Sequence, residues 1–307
     1  MTDWATIAVR FALYADLMIL FGLPLFGLYG LGRATAPALP FRRLVAPTAA
    51  IGILLSVAAL LLLVSSMSGM PVSEVDRTSI EMLLSGTAMG AAWQIRIAAL
   101  ALALLLALAG WRGRLTLGGM AFAAAIALAT LAWTGHGAAS EGALGWLHLG
   151  ADIIHLLASA AWVGALAALL LMLLRRATSM SPDHLALSHR ALAGFATAGT
   201  IMVALIILSG IVNGWILVGP DHIGALFTSL YGQLLLAKLM LFAAMLALAA
   251  ANRFRLTPTL KLALECGGRA AAASALRRSL ALETGSAMLI LLLVAWLGTL
   301  APPASIS

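Results

Sequence analysis

Residues 148–174 read HLGADIIHLLASAAWVGALAALLLMLL, with Asp152 as the single acidic group and no lysine or arginine. About 20 such residues make a helix long enough to cross the ~30 Å of hydrocarbon in a bilayer. In that medium only helices or closed barrels satisfy every backbone amide, and an unbroken apolar run without two-residue alternation selects the helix. Seven more runs of this kind lie at 8–30, 44–64, 92–110, 116–134, 193–217, 231–251 and 281–301. The expected fold is all-α: a polytopic membrane protein whose single integral domain, 1–307, is an eight-transmembrane-helix bundle.

Composition agrees with that reading. Of 307 residues, 63% are hydrophobic and 9% charged, with a mean hydropathy of +1.07, whereas a soluble domain carries about 25% charged residues. Secreted, nuclear and disordered classes are excluded. Cys266 is the only cysteine, so an internal disulfide, a CxxC site and a cysteine-rich zinc site are all ruled out, and soft-metal chemistry falls to Met and His. Asp3, Trp4 and a single Arg10 precede the first run; without a basic leader segment, that run is expected to stay as a helix.

The net charge of +7 reports topology, not a nucleic-acid partner. Arg33, Arg42 and Arg43 follow the first run, Arg112 and Arg114 the third, Arg175, Arg176 and Arg190 the fifth. Arg253, Arg255, Lys261, Arg269, Arg277 and Arg278 follow the seventh, which places 14 of the 18 basic residues in alternate loops. The positive-inside rule assigns those loops to the cytoplasm and both termini to the periplasm. The opposite loops hold Glu74, Asp76, Glu81, Glu141 and Asp221. Within 252–280 the Ala/Arg stretch from Arg269 to Arg278 reads as a short interfacial helix beside anionic lipid.

Ionisable residues inside a bilayer each call for a physical reason. On this topology Asp16, Arg96, Asp152, His155 and Lys238 fall in the outer half, with His136, His148 and Asn213 near its surface, and the inner half is almost bare. His148, Asp152 and His155 are spaced i, i+4, i+7, which puts them on one helix face over ~10 Å. A carboxylate between two imidazoles can fix the tautomer of a metal-ligating His. His136, joined to His148 by an eleven-residue connection, can come alongside it from the preceding run. Interfacial histidines also bond headgroups and carbonyls, so the cluster carries more weight than any member.

Met67 and Met70, in SSMSGMP, are candidate soft ligands in an oxidising compartment; Met is equally a packing residue, the reading preferred for Met18, Met82, Met89, Met240, Met245 and Met288. Trp93, Trp133, Trp146 and Trp215 suit interfacial belts. Trp162, seven residues after His155, either lines the same cavity or packs in the core. Lys238 and Asp16 are candidates for a buried ion pair, with Arg96 a competing partner, and Gly232 beside Tyr231 favours a close helix contact.

Taken in order, RFALYADLMILFGLPLFGLY (10–29), TGHG (134–137) with His136, HLLASAAWVGAL (155–166), SGIVNGW (209–215), LFTSLYGQLLLAKL (226–239) and ANRFRLTP (251–258) resemble the CopD/PcoD family of bacterial inner-membrane copper-resistance proteins. The likeness is strongest in a core at about 190–300. It implies a multi-pass inner-membrane copper-homeostasis protein with a periplasm-facing site, moving copper beside a periplasmic CopC-like copper-binding protein. His136, His148 and His155 become the plausible ligands, with Asn213, Tyr231 and Lys238 in the family-like block.

Three readings follow. In the first, a copper ion is accepted by Met67, Met70 and the His cluster and passed inward; no acidic or imidazole ladder continues through the inner half, so the rest of the path falls to Met120, Met172 or Met202, carbonyls or water. No nucleotide-binding loop supports ATP-driven transport, and no enzyme activity is expected. In the second, His136 or His148 pairs with His155 on haem b, and Arg96 or Lys238 meets a propionate. In the third, the chain is a non-catalytic docking subunit for a periplasmic copper chaperone.

Overall fold

The computed structural model describes residues 3–31, 40–111, 113–135, 142–174, 182–259, 262 and 269–305. Among them there is no strand, and eight helices are long and apolar enough to cross a membrane. The chain is a multi-pass membrane protein. In order the helices are α1 (Trp4–Tyr29), α2 (Phe41–Ser68), α3 (Arg77–Gly86), α4 (Ala88–Leu108), α5 (Arg114–Ala129), α6 (Gly142–Leu174), α7 (Pro182–Val218), α8 (Ala225–Thr228), α9 (Leu230–Ala251) and α10 (Arg269–Leu297). All but α3 and α8 are spans.

The bundle is organised around one pair. In the membrane window of α6 72% of residues are buried, and in that of α1 67%, against 11% for α9. The two central helices touch backbone to backbone: a Cβ on Gly22 would run into the Ala160 carbonyl and Gly164, and a Cβ on Gly164 into Gly22. Between lipid-soluble helices packing replaces the hydrophobic effect as the main driving force, and small residues permit the closest approach. The small side chains Ala160, Ala165 and Ala168 keep α6 thin, while Leu17 and Phe26 of α1 fill the seam. α2, α4 and α5 gather on one side of this pair; α7, α10 and, through α10, α9 lie on the other. Large apolar side chains such as Leu54, Ile201 and Met240 stay exposed on the outer helices, where lipid solvates them.

The ends are secured locally. Asp3 caps α1, accepting the Ala5 and Thr6 amides at 3.1 and 3.3 Å and the Thr6 hydroxyl, which satisfies amides the helix leaves unpaired. Trp4 and Trp296 rings stand 5.6 Å apart, so the start of the first span and the end of the last share one end of the bundle. At the opposite end Arg42 donates to the Ala107 carbonyl at 2.8 Å and Arg114 to the Leu28 carbonyl at 2.6 Å. Cations beside the final carbonyls of α4 and α1 meet the negative ends of those helices.

Several details depart from the sequence reading. α3 is an unforeseen short helix, capped by Asp76 on the Ser79 amide at 3.2 Å and buried through Leu83 against Leu60 and Val64. At 10 residues it is too short to cross a bilayer. The Arg269–Arg278 stretch is not a separate helix but the first turns of α10, because an alanine-rich segment extends a helix without a break. Trp93 donates its indole N–H to the Ser56 carbonyl at 2.9 Å, tying α4 to α2, while Trp146 and Trp215 are exposed as belt residues are. Gly232 closes on Ala225 and Leu226 of α8, a contact within one connection and not between spans.

Candidate metal-binding cavity

The inner face of α6 opens on a cavity of about 530 Å³. His148, Asp152 and His155 all line it, with Trp162 further along the same face, as their spacing requires. α7 contributes Gly210 and Asn213, α9 contributes Tyr231 and Lys238, and α10 closes the side with Ala287 and Leu291. α1 adds Arg10 and Tyr14. The resulting wall is mostly apolar with a few convergent polar groups, the usual character of a small-ligand site.

His155 is the best-defined donor. Its Nδ1 lies 3.0 Å from Ser209 Oγ, and that hydroxyl lies 2.5 Å from the Leu205 carbonyl one turn back on α7. A hydroxyl carries one proton. Given to the Leu205 carbonyl, it leaves the Ser209 oxygen as an acceptor, so Nδ1 holds the imidazole proton and Nε2 the lone pair. This is the arrangement by which a partner of one ring nitrogen prepares the other as a ligand. The ring packs against α7 at Gly210, where a Cβ would sit in ordinary van der Waals contact, 3.5 Å from Cε1.

Asp152 accepts a long hydrogen bond from Asn213 Nδ2 at 3.5 Å. Lys238 lines the same cavity but forms no direct ion pair with Asp152. Asn213 Oδ1 and the Trp162 indole N–H are buried without a hydrogen-bond partner. Trp162 meets Phe195 edge to face at 5.7 Å. An acceptor, a donor, a carboxylate and an imidazole thus line one space. His148, toward the N-terminal end of the same α6 face, is buried at 2% exposure.

The remaining candidates are distributed elsewhere. Asp16 does not pair with Lys238 or Arg96: it points toward Gly52 of α2, with Oδ2 unpartnered. Two residues after Tyr14, it stands about 200° around α1 from the cavity-lining face. Arg96 is instead buried on α4, donating Nε to Thr130 Oγ1 at 2.8 Å and Nη2 to the Thr130 carbonyl at 3.2 Å. It lines a second cavity, about 640 Å³, among α1, α2, α3 and α4, to which Arg10 and Tyr14 also belong. Met67 and Met70 are 62% and 50% exposed and line neither cavity. His136 lies outside the described residues; its neighbour Gly135 borders Asp152 at the cavity wall.

Among the described residues no three His, Cys, Asp or Glu side chains converge closely enough to hold one metal ion. His148 and His155 also leave one helix face two turns apart, whereas axial ligands of a haem must approach from opposite sides of the porphyrin. With His136 as the second ligand, the haem reading stays where the sequence left it. Sequence reasoning missed Ser209, Arg10 and Tyr14. Ser209 was legible in principle, being four residues before Asn213 and so on the same face of α7.

Comparison with known proteins agrees with this architecture. Residues 1–146 match the model of the copper resistance protein D-like N-terminal domain, and residues 189–297 that of copper resistance protein D. Copper resistance protein D of Pseudomonas syringae pv. tomato is 47% identical over 98% of both chains. Inner membrane protein YebZ of Escherichia coli K12 is 30% identical over 85% of this chain and 87% of its own. Copper transport protein CutJ of Bacillus subtilis 168 is 36% identical over 120 residues, 39% of this chain and 21% of its own. No solved structure matches. With both halves matched and near-complete alignment to a curated member, the chain belongs to the copper resistance protein D family and is a copper-homeostasis protein.

Proposed function

We propose that the α6–α7–α9 cavity receives a copper ion from the periplasmic side of the bacterial inner membrane and that the chain passes it toward the cytoplasm as a carrier, without enzyme activity. The observation that carries this reading is His155, whose Nδ1 is occupied by Ser209 so that Nε2 remains as a ligand nitrogen. His148 and Asp152 on the same face supply a second imidazole and a carboxylate. A nitrogen and oxygen donor set suits Cu(II), whereas the thioethers of Met67 and Met70 stand apart from it. Orientation rests on the 14 basic residues in alternate loops, and inner-membrane residence is supported by the name of the YebZ relative.

A periplasmic CopC-like protein is the natural donor, since the cavity lies toward the end where the termini meet. His136, next in sequence to Gly135 at the cavity wall, is the candidate third imidazole. Metal analysis of the purified protein tests the reading: wild type is expected to retain one Cu(II) per chain in the cavity and His155→Ala to lose it. Unchanged copper content in His155→Ala overturns the proposal and favours a docking role in which the cluster only packs helices. A reducible Soret band that disappears in the same variant favours haem.

A further inference from the structure

Beyond the floor of the cavity lies a buried carboxylate–amide pair that no sequence consideration singled out. Glu283 on α10 is 1% exposed, and Asn252, where α9 runs into a π turn over Asn252–Leu256, is 6% exposed. The Asn252 amide donates to Glu283 Oε1. Among the described residues Glu283 has no ion-pair partner. Arg253 turns away to donate Nη1 to Thr200 of α7 at 2.7 Å, and Arg278 is exposed. Asn252 Oδ1 is itself buried without a hydrogen-bond partner.

A buried polar atom left unpaired costs about 1–3 kcal/mol. Here the orphan is the acceptor of the same amide whose N–H meets the carboxylate, so among the described residues the two groups hold more buried oxygen acceptors than donors. That deficit of donors is what a cation relieves. The pair is also in line with the cavity. Met245 and Ala287 form part of its floor; Ala287 is one turn, ~6 Å, from Glu283 on α10, and Met245 two turns, ~10 Å, from Asn252 on α9. Both spacings keep a common helix face. Met245 and Ala287 are 5% and 4% exposed, and they separate the cavity from the pair.

We propose that Glu283 and Asn252 Oδ1 form a second cation station, which takes a divalent ion through oxygen donors after it passes the Met245–Ala287 floor. The inference deepens the carrier reading and rests on it for the identity of the ion, and carboxylate and amide oxygens suit Cu(II) or a harder divalent ion in place of Cu(I). It supplies the inner half of the bundle with the ligands that the sequence reading found lacking there.

Electron paramagnetic resonance of the purified full chain titrated with Cu(II) separates the two sites, because cavity imidazoles split the copper signal through nitrogen and the station does not. Wild type is expected to show both signals. Glu283→Gln should lose the nitrogen-free signal, keep the nitrogen-coupled one, and deliver copper into proteoliposomes at least about tenfold more slowly; Glu283→Asp should restore both. Asn252→Asp, which adds a carboxylate at the orphan acceptor, should tighten the nitrogen-free site by about tenfold. Unchanged signals and delivery in Glu283→Gln, or no tightening in Asn252→Asp, overturn the station. A wild type with only the nitrogen-free signal instead contradicts the cavity reading and leaves the station standing.

Discussion

The two cavities of the bundle are similar in size, about 640 and 530 Å³, and share Arg10 and Tyr14, yet their chemistry differs. Beyond these, the one among α1, α2, α3 and α4 has the Arg96 guanidinium and the Asp3 carboxylate and no imidazole; the one among α6, α7, α9 and α10 has two imidazoles, the Asp152 carboxylate and the Lys238 ammonium. Arg96 in the first is satisfied by Thr130, where α5 tightens into the turn Thr130–Thr134. That cation therefore holds α4 to the end of α5. In the second, Asn213 Oδ1 and the Trp162 N–H are left without partners. The difference supports the proposal that ion handling belongs to the second half of the chain and scaffolding to the first, with α1 common to both cavities.

That division can be broken from its shared centre outward. Gly164→Val drives a side chain into Gly22 and should have the largest effect, loss of monodisperse protein in detergent; a normal yield would mean that the α1–α6 crossing is looser than the backbone contact requires. Arg96→Ala removes two charge-assisted hydrogen bonds and should lower unfolding stability by about 3 kcal/mol while copper content stays at the wild-type value. Copper loss in a folded Arg96→Ala protein would erase the distinction between the cavities. Ser209→Ala frees the His155 tautomer and should weaken Cu(II) affinity by about tenfold, read by competition with a chelator, with little change in stability. Replacing both Met67 and Met70 by Leu should leave copper affinity unaltered, since both are exposed and away from the cavity; a measurable loss would bring the loop into the ion's route.

Much of this was written in one-dimensional pattern. Apolar runs of membrane length gave all eight spans, and the i, i+4, i+7 spacing on α6 gave the shared face of His148, Asp152 and His155, because both depend only on helix geometry. Pairings between helices were not legible in the same way. Asp16 and Lys238 have complementary charges, but rotation about α1 points Asp16 at α2. The Arg96–Thr130 contact joins residues 34 apart through a local tightening of α5 that composition does not announce. Glu283 was hidden for another reason: it falls inside the apolar run 281–301 as a lone carboxylate near its start, and nothing in one dimension pairs it with Asn252, 31 residues earlier.

The central claim is that His155 is a copper ligand in a cavity built by α6, α7 and α9. The most direct measurement is the Cu(II) resonance spectrum of the full chain beside that of His155→Ala, both checked for intact helical content. The account predicts nitrogen splitting in the first and its weakening or loss in the second. Identical nitrogen splitting in the two proteins would contradict it.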